Sequence, residues 1–234
     1  MIMAVTISAL EDPLREAVRR AIEESPQRRF KESVDLTVVF RGLDLKKDPS
    51  LKINEIVALP HAPKGKEAKV AVIGTGEFAT KARDAGADAV FDPAEILSVA
   101  KNKRELRKLA NRFDFFVAQA DALPKLARDI GPIFGPRNKM PIPLPATRVD
   151  QLPDTIQRLK RSVRVRMRDQ PVIHVRVGTR DMDPDEIVEN IKAVLAALER
   201  KYGDLGVLEA MYVKTTMGPA IRVEAAMGGR RRRR

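Results

Sequence analysis

The pattern of apolar residues changes twice along this chain, and that change constrains the fold more than any other feature. Along residues 34–40 apolar and polar residues alternate, which is typical of a strand with one face in solvent. Residues 69–73 instead carry a short continuous apolar run, as in a strand that is buried on both faces. After Pro145 the alternating pattern returns. We therefore predict two kinds of sheet, with the second inserted into the first.

The middle of the chain alternates short strands with helices. The predicted strands cover residues 69–73, 88–91 and 114–118, and the predicted helices cover 77–85, 93–100, 103–112 and 121–130. This order of elements predicts a small parallel sheet that is covered by helices.

The outer parts of the chain predict an α+β domain. Its predicted helices cover residues 8–24, 152–161 and 183–202, and its predicted strands cover 34–40, 52–59, 163–168, 172–177, 207–215 and 220–224. Ser8 and Glu11 have the spacing of a capping box at the start of the first helix.

Two proline-rich stretches, residues 59–65 and 141–145, bracket the middle block. Prolines in series stiffen a chain into an extended form. We therefore interpret the two stretches as two crossings between domains, which together define a hinge. The alternative is that they are ordinary loops within one domain. The outer domain is then residues 1–65 and 151–227, and the inner one is residues 66–150. The hinge residues are Pro60, Pro63, Gly135, Pro136, Pro141 and Pro143.

The charge of the chain points to an acidic partner. The net charge is +12, and removing the five arginines of the terminal run still leaves a body of +7. Nucleic acid and anionic membrane both fit such a charge, but no apolar stretch approaches the ~20 residues that span a bilayer. Cysteine is absent and there are two histidines, so we expect no metal site and no cofactor. Residues 228–234 are predicted to form a disordered basic tail that adds salt-sensitive affinity.

A basic strand is the first candidate for nucleic-acid binding. Arg164, Arg166 and Arg168 alternate with apolar residues, and the next strand adds His174 and Arg176. A period of two places these cations on one face, where they repel each other unless an anion binds. The alternative is a solvated face that carboxylates elsewhere neutralise.

Two loops add groups that suit RNA. In the loop of residues 214–219, threonine hydroxyls fit a 2′-hydroxyl or a phosphate, Met217 offers an apolar contact, and Gly218 permits close approach of a second backbone. In residues 28–33, Phe30 lies among cations, as base stacking requires. A plain hairpin loop and a core phenylalanine are the alternatives.

Enzymatic chemistry finds little support in the sequence. The turn Gly74-Thr75-Gly76 follows a strand and precedes a helix, as in a nucleotide-binding loop. The third glycine of that fingerprint is missing, however, so a tight strand-to-helix turn explains it better. The sequence contains no nucleophile elbow and no P-loop. A nucleotide-binding enzyme and a DNA-binding regulator remain as alternatives.

At these loops the sequence resembles the large-subunit ribosomal protein L-one family, and its archaeal branch most. The resemblance depends on residues 30–34, Gly135-Pro-Arg137 and Thr215-Thr-Met-Gly-Pro219. It implies a split β-α-β outer domain and an inserted, three-layer Rossmann-like domain without a dinucleotide.

The resemblance also implies a function. The family's members are structural proteins of the cytoplasmic ribosome that bind large-subunit ribosomal RNA in the mobile stalk and assist release of exit-site tRNA. Members of the family can also repress their own mRNA. We accordingly expect a monomer when free, and no enzyme. The RNA contacts of the family map onto Arg29, Phe30, Ser33, Asp35, His174, Gly178, Thr216, Met217 and Gly218. Ser33 and Asp35 differ conservatively from bacterial members, whereas Ala210 replaces a serine of some members.

Overall fold

The structure is a computed structural model that describes residues 7–224. Within that range the chain forms two compact units. Unit 1 contains residues 7–66 and 161–224, and unit 2 contains residues 67–160. The predicted disordered tail, residues 228–234, lies outside the described residues.

The elements are numbered in chain order. The helices are α1 (Glu11–Glu23), α2 (Gly76–Asp84), α3 (Pro93–Ala100), α4 (Lys103–Arg112), α5 (Leu123–Phe134), α6 (Leu152–Lys160) and α7 (Pro184–Tyr202). The strands are β1 (Ser33–Phe40), β2 (Asn54–Ala58), β3 (Val70–Ile73), β4 (Ala89–Phe91), β5 (Phe115–Gln119), β6 (Ile142–Leu144), β7 (Ser162–Arg166), β8 (Val172–Thr179), β9 (Leu208–Thr215) and β10 (Ile221–Arg222). This mixed α/β composition confirms the predicted fold class at that level.

Unit 1 contains an antiparallel sheet with the strand order β10-β9-β1-β8 and a separate ribbon of β2 and β7. The alternation in β1 has the predicted effect, because Val34, Leu36, Val38 and Phe40 are buried in a core with α1 and α7. The opposite face of the sheet carries the polar side chains.

The two helices of unit 1 begin differently. Asp183 and Glu186 form a capping box at the start of α7. The capping box predicted at Ser8 is wrong, because a 3-10 turn covers Ser8–Leu10 and α1 follows without a side-chain cap. Leu10 is buried at this junction, so apolar packing fixes the start of α1.

Unit 2 contains a fully parallel sheet with the order β4-β3-β5-β6. Every residue of β3 is buried, as the continuous apolar run predicts, because helices cover both faces. One core joins Ala71 and Ile73 to α3, α4 and α5. The other core joins Val70 and Val72 to α2 and α6.

The second domain boundary differs from the prediction. Leu152, Ile156 and Leu159 of α6 lie in a core of unit 2, so the chain returns to unit 1 after Lys160 rather than after residue 150. The helical pattern of α6 does not say which sheet it covers, and the sequence therefore left the assignment open to error.

The second proline-rich stretch is not a crossing. Pro141 leads into the edge strand β6, in which Pro143 lies beside Ala118 of β5; an edge strand tolerates a residue without an N–H. Gly135 ends α5, and its N–H donates to the Gly131 carbonyl at 2.8 Å. Pro136 follows within the same unit. These four residues therefore do not form a hinge between units, whereas Pro60 and Pro63 precede the first crossing and their hinge role stays a prediction.

The basic loop after α5 has a structural use. Arg137 donates to the Ile133 carbonyl at 3.1 Å, and Lys139 donates to the carbonyls of Ala110 and Phe113 at 2.9 and 2.7 Å. These contacts satisfy carbonyls at the ends of α5 and α4, as cations at helix C-termini commonly do.

Between residues 7 and 224 no helix combines the length and the apolar composition that a membrane crossing needs. The same residues contain no group of three or more histidine or carboxylate side chains that could hold a metal ion.

Candidate nucleic-acid interface

The open face of the sheet in unit 1 begins with a row of three charged residues. Asp35 of β1 lies opposite Arg176 of β8 and Lys214 of β9. Burial raises the pKa of the Asp35 carboxyl above its ordinary value, although Arg176 and Lys214 act in the opposite direction. The Nε atom of Arg176 is buried and has no hydrogen-bond partner among the described residues. This row therefore presents two cations beside a half-buried carboxylate.

A second row crosses the same face. Thr37 of β1 lies opposite His174 of β8 and Tyr212 of β9, and Arg222 of β10 lies beyond Tyr212. The Oγ1 atom of Thr37 lies 3.0 Å from Nδ1 of His174, which is exposed. The face thus combines cations, hydroxyls and rings, which are the groups that bind sugars, phosphates and bases.

The loop between β9 and β10 is fixed to the start of β1. The Ser33 N–H donates to Oγ1 of Thr216 at 3.0 Å, and that hydroxyl donates to the Ser33 carbonyl at 3.4 Å. The Thr216 N–H donates to the same carbonyl at 3.0 Å. The hydroxyl of Ser33 in turn accepts from Lys66 at 2.9 Å. The Thr216 side chain thus positions the loop and keeps one acceptor site for a ligand.

Beneath this loop lies a buried carboxylate, Glu32, which is 1% exposed. It accepts from the Met217 N–H at 3.0 Å, from the Ser25 hydroxyl at 3.3 Å and from Arg180 at 3.2 Å. Burial by itself raises the pKa of Glu32, but these three donors outweigh it and the pKa lies below its ordinary value. A charged Glu32 therefore holds the backbone of the loop at Met217.

Arg180 connects the same carboxylate to the end of α1. Its guanidinium donates to the carbonyls of Ile22, Ser25 and Pro26 at 3.3, 2.8 and 2.8 Å. The fork of an arginine suits such convergent acceptors. Sequence reasoning missed Glu32 and Arg180 as site residues, because no local pattern indicates that two charges 148 positions apart meet.

Gly218 is required by packing within the protein. A Cβ atom there would lie 2.3 Å from Oγ1 of Thr215 and 3.0 Å from Cβ of Ser25. The Thr215 hydroxyl donates to that of Ser25 at 2.8 Å, so the small residue lets the loop close over a buried polar chain. The sequence predicted a close approach at Gly218, and the structure shows that side chains of unit 1 make it.

The two exposed apolar residues of the predicted site stand out from the surface. Met217 is 62% exposed and Phe30 is 51% exposed, so Phe30 is not a core residue. Phe30 lines a cleft of about 340 Å³ together with Gln27, Arg28, Lys31, Glu32, Arg180 and Asp181. Arg29 beside it is exposed. Exposed rings and thioethers among cations suit stacking against bases or sugars.

The basic strand β7 does not continue the sheet as predicted. It pairs with β2, where Arg164 lies opposite Ile56 and Arg166 opposite Asn54. After the end of β7, one isolated antiparallel bridge joins Met167 to Ile173 of β8. Arg168 follows the strand and is exposed. Burial lowers the pKa of Arg164, and the like charge of Arg166 adds to this effect.

Two glycines have structural roles that the sequence left open. A Cβ atom at Gly178 would lie 3.0 Å from Ile187 of α7, so this position faces the core rather than a ligand. A Cβ atom at Gly74 would lie 2.4 Å from the ring of Phe78. Gly74 is therefore required by the packing of Phe78 in the core of unit 2, which is the structural role of a tight strand-to-helix turn.

Comparison with known proteins gives a consistent result. The model of the ribosomal protein L1p/L10e family matches residues 21–219. A large ribosomal subunit protein uL1 of Korarchaeum cryptofilum is 62% identical over 213 residues, which cover 91% of this chain and 94% of the relative. A protein of the same name from Pyrobaculum calidifontis is 48% identical over 91% of this chain and 95% of the relative. Another, from Methanothermobacter thermautotrophicus, is 46% identical over 92% of this chain and 100% of the relative.

Proposed function

Because this chain belongs to the ribosomal protein L1p/L10e family, we propose that it is a structural component of the large subunit of the cytoplasmic ribosome, and that unit 1 binds large-subunit ribosomal RNA. The family is one of structural proteins, and the chain is not an enzyme. The observation that carries the RNA-binding proposal is the loop of residues 215–219, which is fixed from below and exposed above.

Preorganisation is the physical basis of this proposal. Thr216 and Glu32 hold the loop through hydrogen bonds of 3.0 Å to Ser33 and Met217, so little ordering remains to be done when RNA binds. Met217 and Phe30 would contact bases or sugars, and exposed peptide groups of the loop would read 2′-hydroxyls.

The open sheet face would complete the contact. Arg176 and Lys214 would neutralise phosphates. Such contacts supply salt-dependent affinity that does not depend on sequence. Discrimination between RNAs would come from the fixed loop instead, because its groups match one folded shape.

The test removes one hydroxyl. Thr216→Val should weaken binding of the large-subunit RNA segment by about 5- to 150-fold, since the Ser33 N–H loses its partner and the loop loses its register. Thr216→Ser keeps the hydroxyl and should retain affinity. Filter binding at high salt measures both.

The control is Thr80→Val, which removes an exposed hydroxyl of α2 that donates to the Gly76 carbonyl at 3.3 Å. Its affinity should equal that of the wild type. Equal binding by Thr216→Val and the wild type would show that this loop is not the RNA contact.

Further roles follow from the same surface. We propose that a messenger RNA which presents the same fold competes for it, so that the protein represses its own mRNA, and that the ribosome-bound protein assists release of exit-site tRNA. Competition between the ribosomal segment and the leader of the protein's own mRNA tests the repression, because two RNAs that bind one site must each displace the other.

A further inference from the structure

Helix α4 carries an unusual concentration of positive charge. Its sequence places Lys103, Arg104, Arg107, Lys108 and Arg112 on the exposed side, and all five are exposed. Leu106 and Ala110, on the other side, are buried in a core of unit 2. The helix therefore presents a cationic surface that is defined by these five residues. One of them, Arg112, also lies over the ring of Phe113, 5.5 Å from its centroid.

The spacing of these charges works against the helix. Lys103 and Arg107, Arg104 and Lys108, and Lys108 and Arg112 each lie four positions apart, where like charges are neighbours and destabilise a helix. An exposed helix that only needs solubility normally mixes the two signs.

Carboxylates offset only a small part of this repulsion. Among residues 7–224 Lys108 pairs with Glu105 at 2.9 Å, whereas Lys103, Arg104 and Arg107 have no carboxylate within 4.0 Å. The contrast with α2 in the same unit is clear, because Lys81 there pairs with Glu77 at 3.0 Å and with Asp150 at 2.6 Å.

We infer that the cationic surface of α4 binds the phosphate backbone of a folded RNA, as a contact of unit 2 that is additional to the RNA surface of unit 1. The inference rests on the proposed function, which brings the protein to an RNA. Neighbouring side chains on a helix lie about 5–6 Å apart, so successive cations can bind successive phosphates of one strand. Aromatic side chains are absent from α4, and the contact is therefore independent of base sequence.

A membrane surface fits less well. An interfacial helix needs apolar side chains on its free face, but the apolar residues Leu106 and Ala110 of α4 are buried within unit 2.

The test compares two pairs of substitutions in the full chain. Arg104→Gln/Arg107→Gln removes two cations of α4, and Lys81→Gln/Arg83→Gln removes two cations of α2; glutamine preserves helix propensity in both. Binding of ribosomal RNA is measured against salt concentration. The α4 pair should reduce the slope of log affinity against log salt by about 2, whereas the α2 pair should leave it unchanged.

Both pairs should still discriminate the ribosomal segment from a scrambled RNA, because unit 1 provides that property. Equal slopes for the two pairs, in proteins that still discriminate, would overturn the α4 contact and leave the proposed function standing. If the wild type itself bound the ribosomal segment and the scrambled RNA equally well, the proposed function would instead be overturned.

A photocrosslinking residue at Asn111 gives a second readout that does not depend on folding of the charge variants. Asn111 is exposed on the same side of α4. In ribosomal subunits that carry the protein we expect crosslinks to RNA. Crosslinks to an acidic protein alone, or none, would contradict the inference.

Discussion

The two four-stranded sheets within residues 7–224 differ in which of their faces are free. In unit 1 the antiparallel sheet has a core on one side and a polar face with Asp35, Thr37 and His174 on the other. In unit 2 helices cover both faces of the parallel sheet, and all of β3 is buried. A sheet can bind a ligand along its surface only where a face is free. Unit 1 therefore offers a free sheet face as well as a loop, whereas in the described part of unit 2 helices cover both faces of the sheet.

The difference can be tested because the two units give separate signals. Both tyrosines, Tyr202 and Tyr212, lie in unit 1, and the chain has no tryptophan. Tyrosine fluorescence therefore reports the unfolding of unit 1 alone, while circular dichroism reports the helices of both units.

The largest expected effect follows from removing the buried charge of unit 1. Glu32→Gln should lower the free energy of unfolding of unit 1 by about 3 kcal/mol at pH 7, because Arg180 loses its carboxylate; three carbonyls still contact Arg180 and keep the cost at the low end. Urea denaturation followed by tyrosine fluorescence measures it.

The pH dependence of this effect has a definite sign. The folded-state pKa of Glu32 lies below its ordinary value of 4.5, so the ionised carboxylate stabilises the fold above that pH. The stabilisation is lost as the pH falls through the lower, folded-state value. The difference between wild type and Glu32→Gln should therefore shrink below about pH 4.5, and a constant difference would contradict the role of the charge.

The next effect follows from adding a methyl group to one of two glycines, one in the tightly packed loop of unit 1 and one on α5 of unit 2. Gly218→Ala should destabilise unit 1 by about 2 kcal/mol and weaken RNA binding by roughly 30-fold, since its Cβ would lie 2.3 Å from Oγ1 of Thr215. Gly131→Ala is the matched control in α5, because nothing lies within 4 Å of the added Cβ. It should change the stability of unit 2 by less than about 1 kcal/mol, because the gain in helix propensity opposes the crowding of the new Cβ against Pro132, and RNA affinity should not change.

A substitution of the same kind in unit 2 should affect stability alone. Gly74→Ala places a Cβ atom 2.4 Å from the buried ring of Phe78, so we expect a loss of about 1–2 kcal/mol in unit 2. Affinity for ribosomal RNA should stay within about twofold of the wild type. A large loss of affinity would mean that the core of unit 2 supports the RNA site, which would remove the distinction between the units.

The smallest effect concerns the half-buried carboxylate of the open face. Asp35→Asn should raise the stability of unit 1 by about 0.5 kcal/mol at neutral pH, discounted for solvent screening. The pKa of Asp35 is raised in the folded state, so ionisation opposes folding above that pKa and the penalty disappears as the pH falls below the unfolded value. Stability measured at pH 7 and in acid should show the gain only at pH 7.

Apolar periodicity predicted most of the secondary structure because burial is a local property of each element. The strand at residues 34–40 and the helix at residues 183–202 lie where the pattern placed them. Proline explains two of the differences in secondary structure. The sequence of β6, with Pro143, predicts a linker, and the helix predicted up to residue 130 continues past Pro132 to Phe134.

The site was predictable only in its exposed half. Phe30 and Met217 are apolar residues in polar loops, and such residues are visible in a sequence as candidates for binding. The network of Glu32, Arg180 and Ser25 that fixes the loop is assembled from distant positions. No local spacing encodes it, so only the folded chain reveals why the loop is rigid.

Hydroxyl-radical footprinting on large-subunit ribosomal RNA would show whether the loop of residues 215–219 makes the contact. We expect the wild type to protect one folded segment, and Gly218→Ala to lose this protection at concentrations where Gly131→Ala and Gly74→Ala keep it. Absence of any protected segment, or protection that Gly218→Ala leaves unchanged, would contradict the claim that the loop of residues 215–219 in unit 1 binds the RNA.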